Sequence, residues 1–214
     1  MNLFNLPAST IVQRIVPKNS FDSFTNRKQK DLFTRDIAKI TWSNSLSTTT
    51  TNLPSKDISE IQIFTIALKE RKDITILLNV IDKAIPYHII FIVEFETSIY
   101  ISTSSKHPSP INEIKSVIDW TFKSDWHNKN KKRYTLELKR NLDYVFYEFC
   151  RQLSLKSNRS IKNINDLVQY NLQISALIKD IEETQKSIAS CRQFNKKVEM
   201  NLKLKQLEEQ MNNL

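Results

Sequence analysis

Glycine is absent from this 214-residue chain, where ordinary usage near 7% would place about 15. Phosphate-cradling loops, dinucleotide-binding turns, nucleophile elbows and EF-hand loops need glycine wherever the backbone takes positive φ or approaches a ligand closely. The lack argues against all of those chemistries. Cysteine is nearly as scarce. Cys150 and Cys191 are the only two and lie far apart, which predicts free thiols in a reducing compartment. His88, His107 and His127 show no pairing such as His-x-x-x-His, so no metal site and no cofactor are expected. Long apolar runs are missing too. The longest, Ile85-Pro-Tyr-His-Ile-Ile-Phe-Ile-Val93, is about half the roughly 20 residues of a membrane helix. No signal-peptide pattern opens the chain, and a cytoplasmic protein with no membrane partner is the expectation.

What is present fits a folded, basic protein. Hydrophobic residues make up 40% and charged ones 26%, with 32 Lys and Arg against 23 Asp and Glu for a net +9. The excess sits in residues 1–40, 106–140 and 151–214, while 41–105 is slightly acidic. Clustered cations attract polyanions through phosphate contacts and counterion release. They also serve plain solubility, and composition leaves both readings open.

Periodicity sets out the elements. After a loosely alternating arm that ends at Pro17, Phe24, Leu32, Phe33, Ile37 and Ile40 recur at helical steps, predicting an amphipathic helix over 24–40. A Ser/Thr/Asn-rich loop is expected from there to Pro54. Residues 58–68 are apolar on both alternating faces, as in a central strand. Ile74, Leu77, Leu78, Ile81 and Ile85 form a helical stripe that Pro86 terminates. Strands are predicted over 87–95, 98–103 and 117–124, a basic loop over 128–133, and a helix over 138–155.

Beyond Ile161 there is no proline. Ile174, Leu177, Ile181, Ile188 and Cys191 occupy alternating a and d heptad positions, and Leu204, Leu207, Met211 and Leu214 step by three and four. The two series are two residues out of phase, so the seam resets near 193–201. The reset is either a stutter in one long helix or a turn between two antiparallel helices, with the hairpin favoured. The expected fold is α+β: a mainly antiparallel sheet flanked by helices over 1–155, followed by a helical hairpin or coiled-coil arm over 156–214.

Three groups of residues carry candidate chemistry. Asp57, Glu70 and Lys72 bracket a strand and are the set a metal-dependent nuclease would use; Glu94 and Glu96 put two carboxylates on one predicted strand face. The simpler reading of both is a solvated strand end. Lys129, Lys131, Lys132 and Arg133, flanked by Trp126 and Tyr134, combine cations with flat rings as nucleic-acid contacts do, and Arg14 and Lys18 extend the set. A short lysine loop is also a common solvated turn. Ile174, Leu177, Ile181, Ile188, Leu204, Leu207 and Met211 form an apolar seam that must be buried on itself, on a second copy or on a partner. His88 opens an apolar strand and reads as a structural histidine.

Several stretches carry a resemblance: Leu6-Pro-Ala-Ser-Thr10 with Val16-Pro-Lys18, Ile40-Thr-Trp42, Glu60-Ile-Gln-Ile-Phe64, Ile85-Pro-Tyr-His88, Ser124-Asp-Trp126 and Gln193-Phe-Asn-Lys-Lys-Val-Glu-Met-Asn201. In these the chain resembles a bacterial family known as domain of unknown function 4391. It departs at Ser45-Leu46, where the family usually carries a lysine. The resemblance implies a companion of helicases or DNA methyltransferases in restriction or phage-defence loci, and carries over no catalytic residue. The expected function is a non-enzymatic accessory or adaptor subunit. Its arm would dock a helicase or methyltransferase, or form a homodimer, and its basic segments would touch DNA. A metal-dependent nuclease and a structural dimer module are the alternatives.

Overall fold

The computed structural model describes residues 3–110, 116–131, 133–156, 158 and 160–214. The chain divides into two compact units, Met1–Leu153 and Ser154–Leu214. Among the described residues the first unit holds one sheet of seven strands, in the order β1 (Ile11–Ile15), β2 (Ile37–Ser47), β3 (Glu60–Leu68), β4 (His88–Phe95), β5 (Ser98–Pro108) and β6 (Ser116–Lys123). A short β7 (His127–Asn128) pairs with β5. Among the described residues only β3 and β4 run parallel. The same unit carries α1 (Arg27–Asp36), the single turn α2 (Thr48–Thr51), α3 (Thr75–Ala84) and α4 (Leu142–Gln152). The fold is thus the expected α+β arrangement with a mainly antiparallel sheet.

Side chains alternate across a strand, and here the alternation separates two faces. Phe64, Ile66, Ile89, Phe91, Val93 and Tyr100 face a core completed by Leu77, Leu78 and Ile81 of α3, Phe33 of α1 and Phe21 of a preceding 3-10 helix. The opposite face carries Thr65, His88, Ile92 and Glu94. There the His88 ring meets Phe146 of α4 edge-on at 4.5 Å.

Two expectations about the first half are corrected. The helix begins at Arg27, where Asn26 and Gln29 form a reciprocal capping box, and ends at Asp36. The residues expected to finish the helix and form a loop make the eleven-residue strand β2, paired antiparallel with β3 from Ile37 to Ser47 with irregularities between Ile37 and Lys39 and between Trp42 and Asn44. Strand pairing decides this, because the polar side chains find partners there. Ser43 Oγ meets Thr65 Oγ1 at 2.7 Å, Asn44 Nδ2 donates to Thr10 Oγ1 at 2.9 Å, and Ser45 donates to Glu60. The loop shrinks to α2, and Asn52 follows it in the left-handed region with φ 57°.

Without glycine, the left-handed positions fall to other residues: Asn5, Gln13, Asn52, Glu96 and Arg140. Glu96 is the instructive case. Phe95 pairs with Ser98, so Glu96 and Thr97 form a two-residue turn, the place where glycine is commonest. Lys129 clamps the turn, its backbone N–H donating to Thr97 O at 2.9 Å and its Nζ to Glu96 O at 2.8 Å.

The second unit is built from α5 (Ile164–Ser190) and α6 (Phe194–Asn213), which pack together. The chain breaks at Cys191–Gln193 and returns antiparallel. Lys156 Nζ donates to Met211 O at 2.7 Å and Tyr170 Oη to Leu214 O at 2.9 Å, which ties the end of α6 to the start of α5. The seam resets because the helix turns back, and not through a stutter.

Candidate functional site

The nuclease set does not assemble. Asp57 precedes β3 while Glu70 and Lys72 follow it, and the strand alone separates its ends by roughly 26 Å at about 3.3 Å per residue. Lys72 Nζ instead bonds Asp36 Oδ1 at 2.8 Å and pairs with Glu70. Asp36 is 3% exposed and also accepts from Arg35 Nε at 2.7 Å. The Arg35 hydrogen bond, against the cost of burial and with Lys72 helping, holds its carboxyl below the usual range. This network fastens the end of α1. Glu94 and Glu96 do not share a face either, because Glu96 sits in the turn. Among the described residues no group of three or more His, Cys, Asp or Glu is placed to hold a metal ion.

The basic set is divided by the sheet. Arg14 lies over Trp42 at 6.0 Å, and Trp42 stacks on Phe64 of the core face. Trp126 packs edge-on against Tyr100 of that same face at 4.8 Å, with Arg71 over its ring at 5.3 Å. Lys18 donates to Ile37 O and Lys69 to Thr34 O, so both cations cap the α1–β2 junction. Lys18 is pushed below its ordinary pKa by burial and by Lys69. Lys129 faces the other side of the sheet. Lys131 and Arg133 remain exposed, Arg133 over Tyr134 at 5.7 Å. Lys132 lies outside the described residues.

The apolar seam closes within the hairpin. Ile174 and Leu207 are buried, and Leu177, Ile181, Ile188, Leu204 and Met211 are half-buried between exposed neighbours. Of the three ways in which this seam could be covered, the hairpin supplies burial on itself, complete for Ile174 and Leu207 and partial for the other five. A second stripe remains outside. Phe194, Val198 and Leu202 are 79%, 44% and 61% exposed, and their spacing of four places them on one face of α6.

The face opposite the main core holds a feature that periodicity did not reveal. A trough crosses the sheet from β1 to the segment after β7, lined by Gln13, Thr41, Ser43, Thr65, Ile92, Glu94, Ile99 and Lys129 and overhung by Leu3. Its volume is about 190 Å³. A second chamber of about 100 Å³ shares Gln13, Ser43, Thr65 and Ile92 and adds Phe4, Leu6, Ile11 and Ile63. Gln13 occupies the irregularity in β1 between Ile11 and Arg14 with φ 51°. Among the described residues nothing pairs with the half-buried carboxylate of Glu94. No signal in a single sequence joins Thr41, Thr65 and Glu94, since only register makes them neighbours.

A family model described as Domain of unknown function (DUF4391) matches residues 4–211. The chain belongs to this DUF4391 family. No curated protein and no solved structure matches it.

The family-like stretches of this DUF4391 chain take distinct places. Ile85-Pro-Tyr-His88 forms the passage from α3 to β4, where Lys106 Nζ donates to Ile85 O at 2.7 Å. Burial, with the nearby Lys106 charge adding to it, lowers the His88 pKa to about 4, so the ring is neutral near pH 7 and braces α4. Gln193-Phe-Asn195 begins α6 at the hairpin turn. Ser124 joins β5 to the segment after β6, accepting from Ile101 N at 2.9 Å. Cys150 is fully buried, which pushes its thiol pKa well up. Cys191, at the turn, is also free. Among the described residues no helix is long and apolar enough to cross a membrane.

Proposed function

We propose that this DUF4391 protein is a non-enzymatic accessory subunit of a bacterial DNA-targeting system, docking a helicase or DNA methyltransferase subunit through the outer face of its C-terminal hairpin. One observation carries the reading: after the hairpin has closed its own seam, Phe194, Val198 and Leu202 still form an exposed apolar stripe. A helix gains nothing from such a stripe in water, whereas a helical partner buries it at i, i+4, i+8 spacing. Phe194 and Val198 belong to the stretch that carries the family resemblance, which supports a role beyond local packing. Lys131 and Arg133 are exposed cations that a backbone contact with DNA would use.

The test is co-expression of the full chain with a helicase or DNA methyltransferase subunit from the same genome. The complex should co-elute, and the triple variant Phe194→Glu, Val198→Glu, Leu202→Glu should abolish it with helicity unchanged. Persistence of the complex in the triple variant, or its absence with the wild-type chain, refutes the proposal. For DNA, Lys131→Ala with Arg133→Ala should lower the salt slope of binding by up to about 2, and an unchanged slope removes these residues from any contact.

A further inference from the structure

We infer that the trough on the sheet face opposite the main core is a binding site for a small zwitterion with an apolar tail, of the chemical class of a free aliphatic L-amino acid. The inference is independent of the hairpin and its partner. It rests on how the two chambers are lined. The outer chamber is lined by Glu94 and Lys129, of opposite charge, and by the hydroxyl-bearing Thr41, Ser43 and Thr65. The inner one sets the apolar side chains of Phe4, Leu6, Ile11 and Ile63 beside the polar Gln13, Ser43, Asn44 and Thr65. A ligand that fills both has a charged head and a short hydrocarbon end.

The head must carry both signs. Glu94 is half-buried and unpaired among the described residues, and a partly desolvated carboxylate favours a cationic donor. Lys129 spends one N–H on Glu96 O, which fixes its position while leaving two donors for an anion. The Ser43 and Thr65 hydroxyls, bonded to each other at 2.7 Å, have further acceptor capacity for the ammonium. The two chambers are smaller than typical drug-sized pockets of roughly 300–1,000 Å³, which excludes a nucleotide and suits a molecule of amino-acid size.

Calorimetric titration of the full-length protein tests this with four probes: L-leucine, glycine, isopentylamine and 4-methylpentanoate. Leucine should bind, while glycine, lacking the tail, and the two analogues, each lacking one charge, should each bind at least about tenfold more weakly. Glu94→Gln and Lys129→Gln remove one charge each at partly exposed positions, and the backbone N–H of Lys129 still donates to Thr97 O in the second variant. Each should weaken leucine about 10- to 100-fold, the loss of one charge-assisted hydrogen bond. Methyl NMR shifts of Ile92 and Ile99 on adding leucine should locate the ligand. The inference is overturned if leucine gives no heat at about 10 mM, if an analogue matches leucine, if both variants bind as the wild type does, or if the shifts fall elsewhere.

Discussion

Lys106→Met tests the buried ion pair that fastens the end of α3 to β5. The side chains of Lys106 and Asp82 are each 1% exposed. All three N–H groups of the ammonium are used: on Asp82 Oδ1 at 2.8 Å, Asp82 O at 2.6 Å and Ile85 O at 2.7 Å. Burial drives the Asp82 pKa up despite Lys106, and drives the Lys106 pKa down despite Asp82. Both directions say that desolvation outweighs attraction, so the pair contributes position more than stability. Breaking it is another matter. Methionine preserves most of the stem but strands a buried carboxylate and two carbonyls at the end of α3, at a cost of about 3–5 kcal/mol. A carboxyl whose folded pKa is raised above its unfolded value stabilises only at low pH and loses that contribution as pH rises through the folded value. The deficit of Lys106→Met is therefore smaller at pH 5 than at pH 8. Adding Asp82→Leu removes the stranded charge and should recover at least about 2 kcal/mol. Urea unfolding followed by tryptophan fluorescence is the assay, because Trp42, Trp120 and Trp126 all lie in the first unit. A single-variant loss below about 1 kcal/mol, or a double variant as unstable as the single, refutes the reasoning.

His88→Phe should flatten an acid transition. With its folded pKa lowered to about 4 by burial first and Lys106 second, His88 leaves stability intact above about pH 6.5 and erodes it as pH falls toward 4, by up to about 3 kcal/mol. Urea midpoints measured across that window should lose this dependence in the phenylalanine variant. Asn171→Leu should loosen the hairpin. Asn171 is 0% exposed; its amide donates to Leu167 O at 2.8 Å and Ser154 Oγ at 2.9 Å and accepts from Leu155 N at 2.9 Å. Leaving these groups unpaired costs about 2–3 kcal/mol, read as an earlier loss of ellipticity at 222 nm, and an unshifted melt counts against the staple.

Some of this architecture was legible because local signals agreed with the tertiary outcome. The stripe of Ile74, Leu77, Leu78 and Ile81 with Pro86 behind it marks α3 unaided, and the doubly apolar run of β3 marks a central strand. The first error came where local and long-range preferences conflict. Ile37 and Ile40 continue a helical spacing with Phe33, yet the chain from Ile37 pairs with β3 and buries serines and an asparagine that composition assigns to a loop. The charge pattern misled differently. A count of lysines does not show that Lys18 and Lys69 cap a helix end, or that Arg14 and Lys129 stand on opposite faces of the sheet.

By itself, the order of residues determined the α+β class, the breaks at Pro86 and near Gln193, and the obligation of the C-terminal seam to be covered, because each follows from spacing along one element. Tertiary structure alone decided what covers that seam, which stripe stays outside, and that Thr41, Thr65 and Glu94 of three different strands line one trough with Lys129. Those outcomes depend on strand register and on the direction in which a helix turns back, and neither is encoded in the periodicity of any single segment.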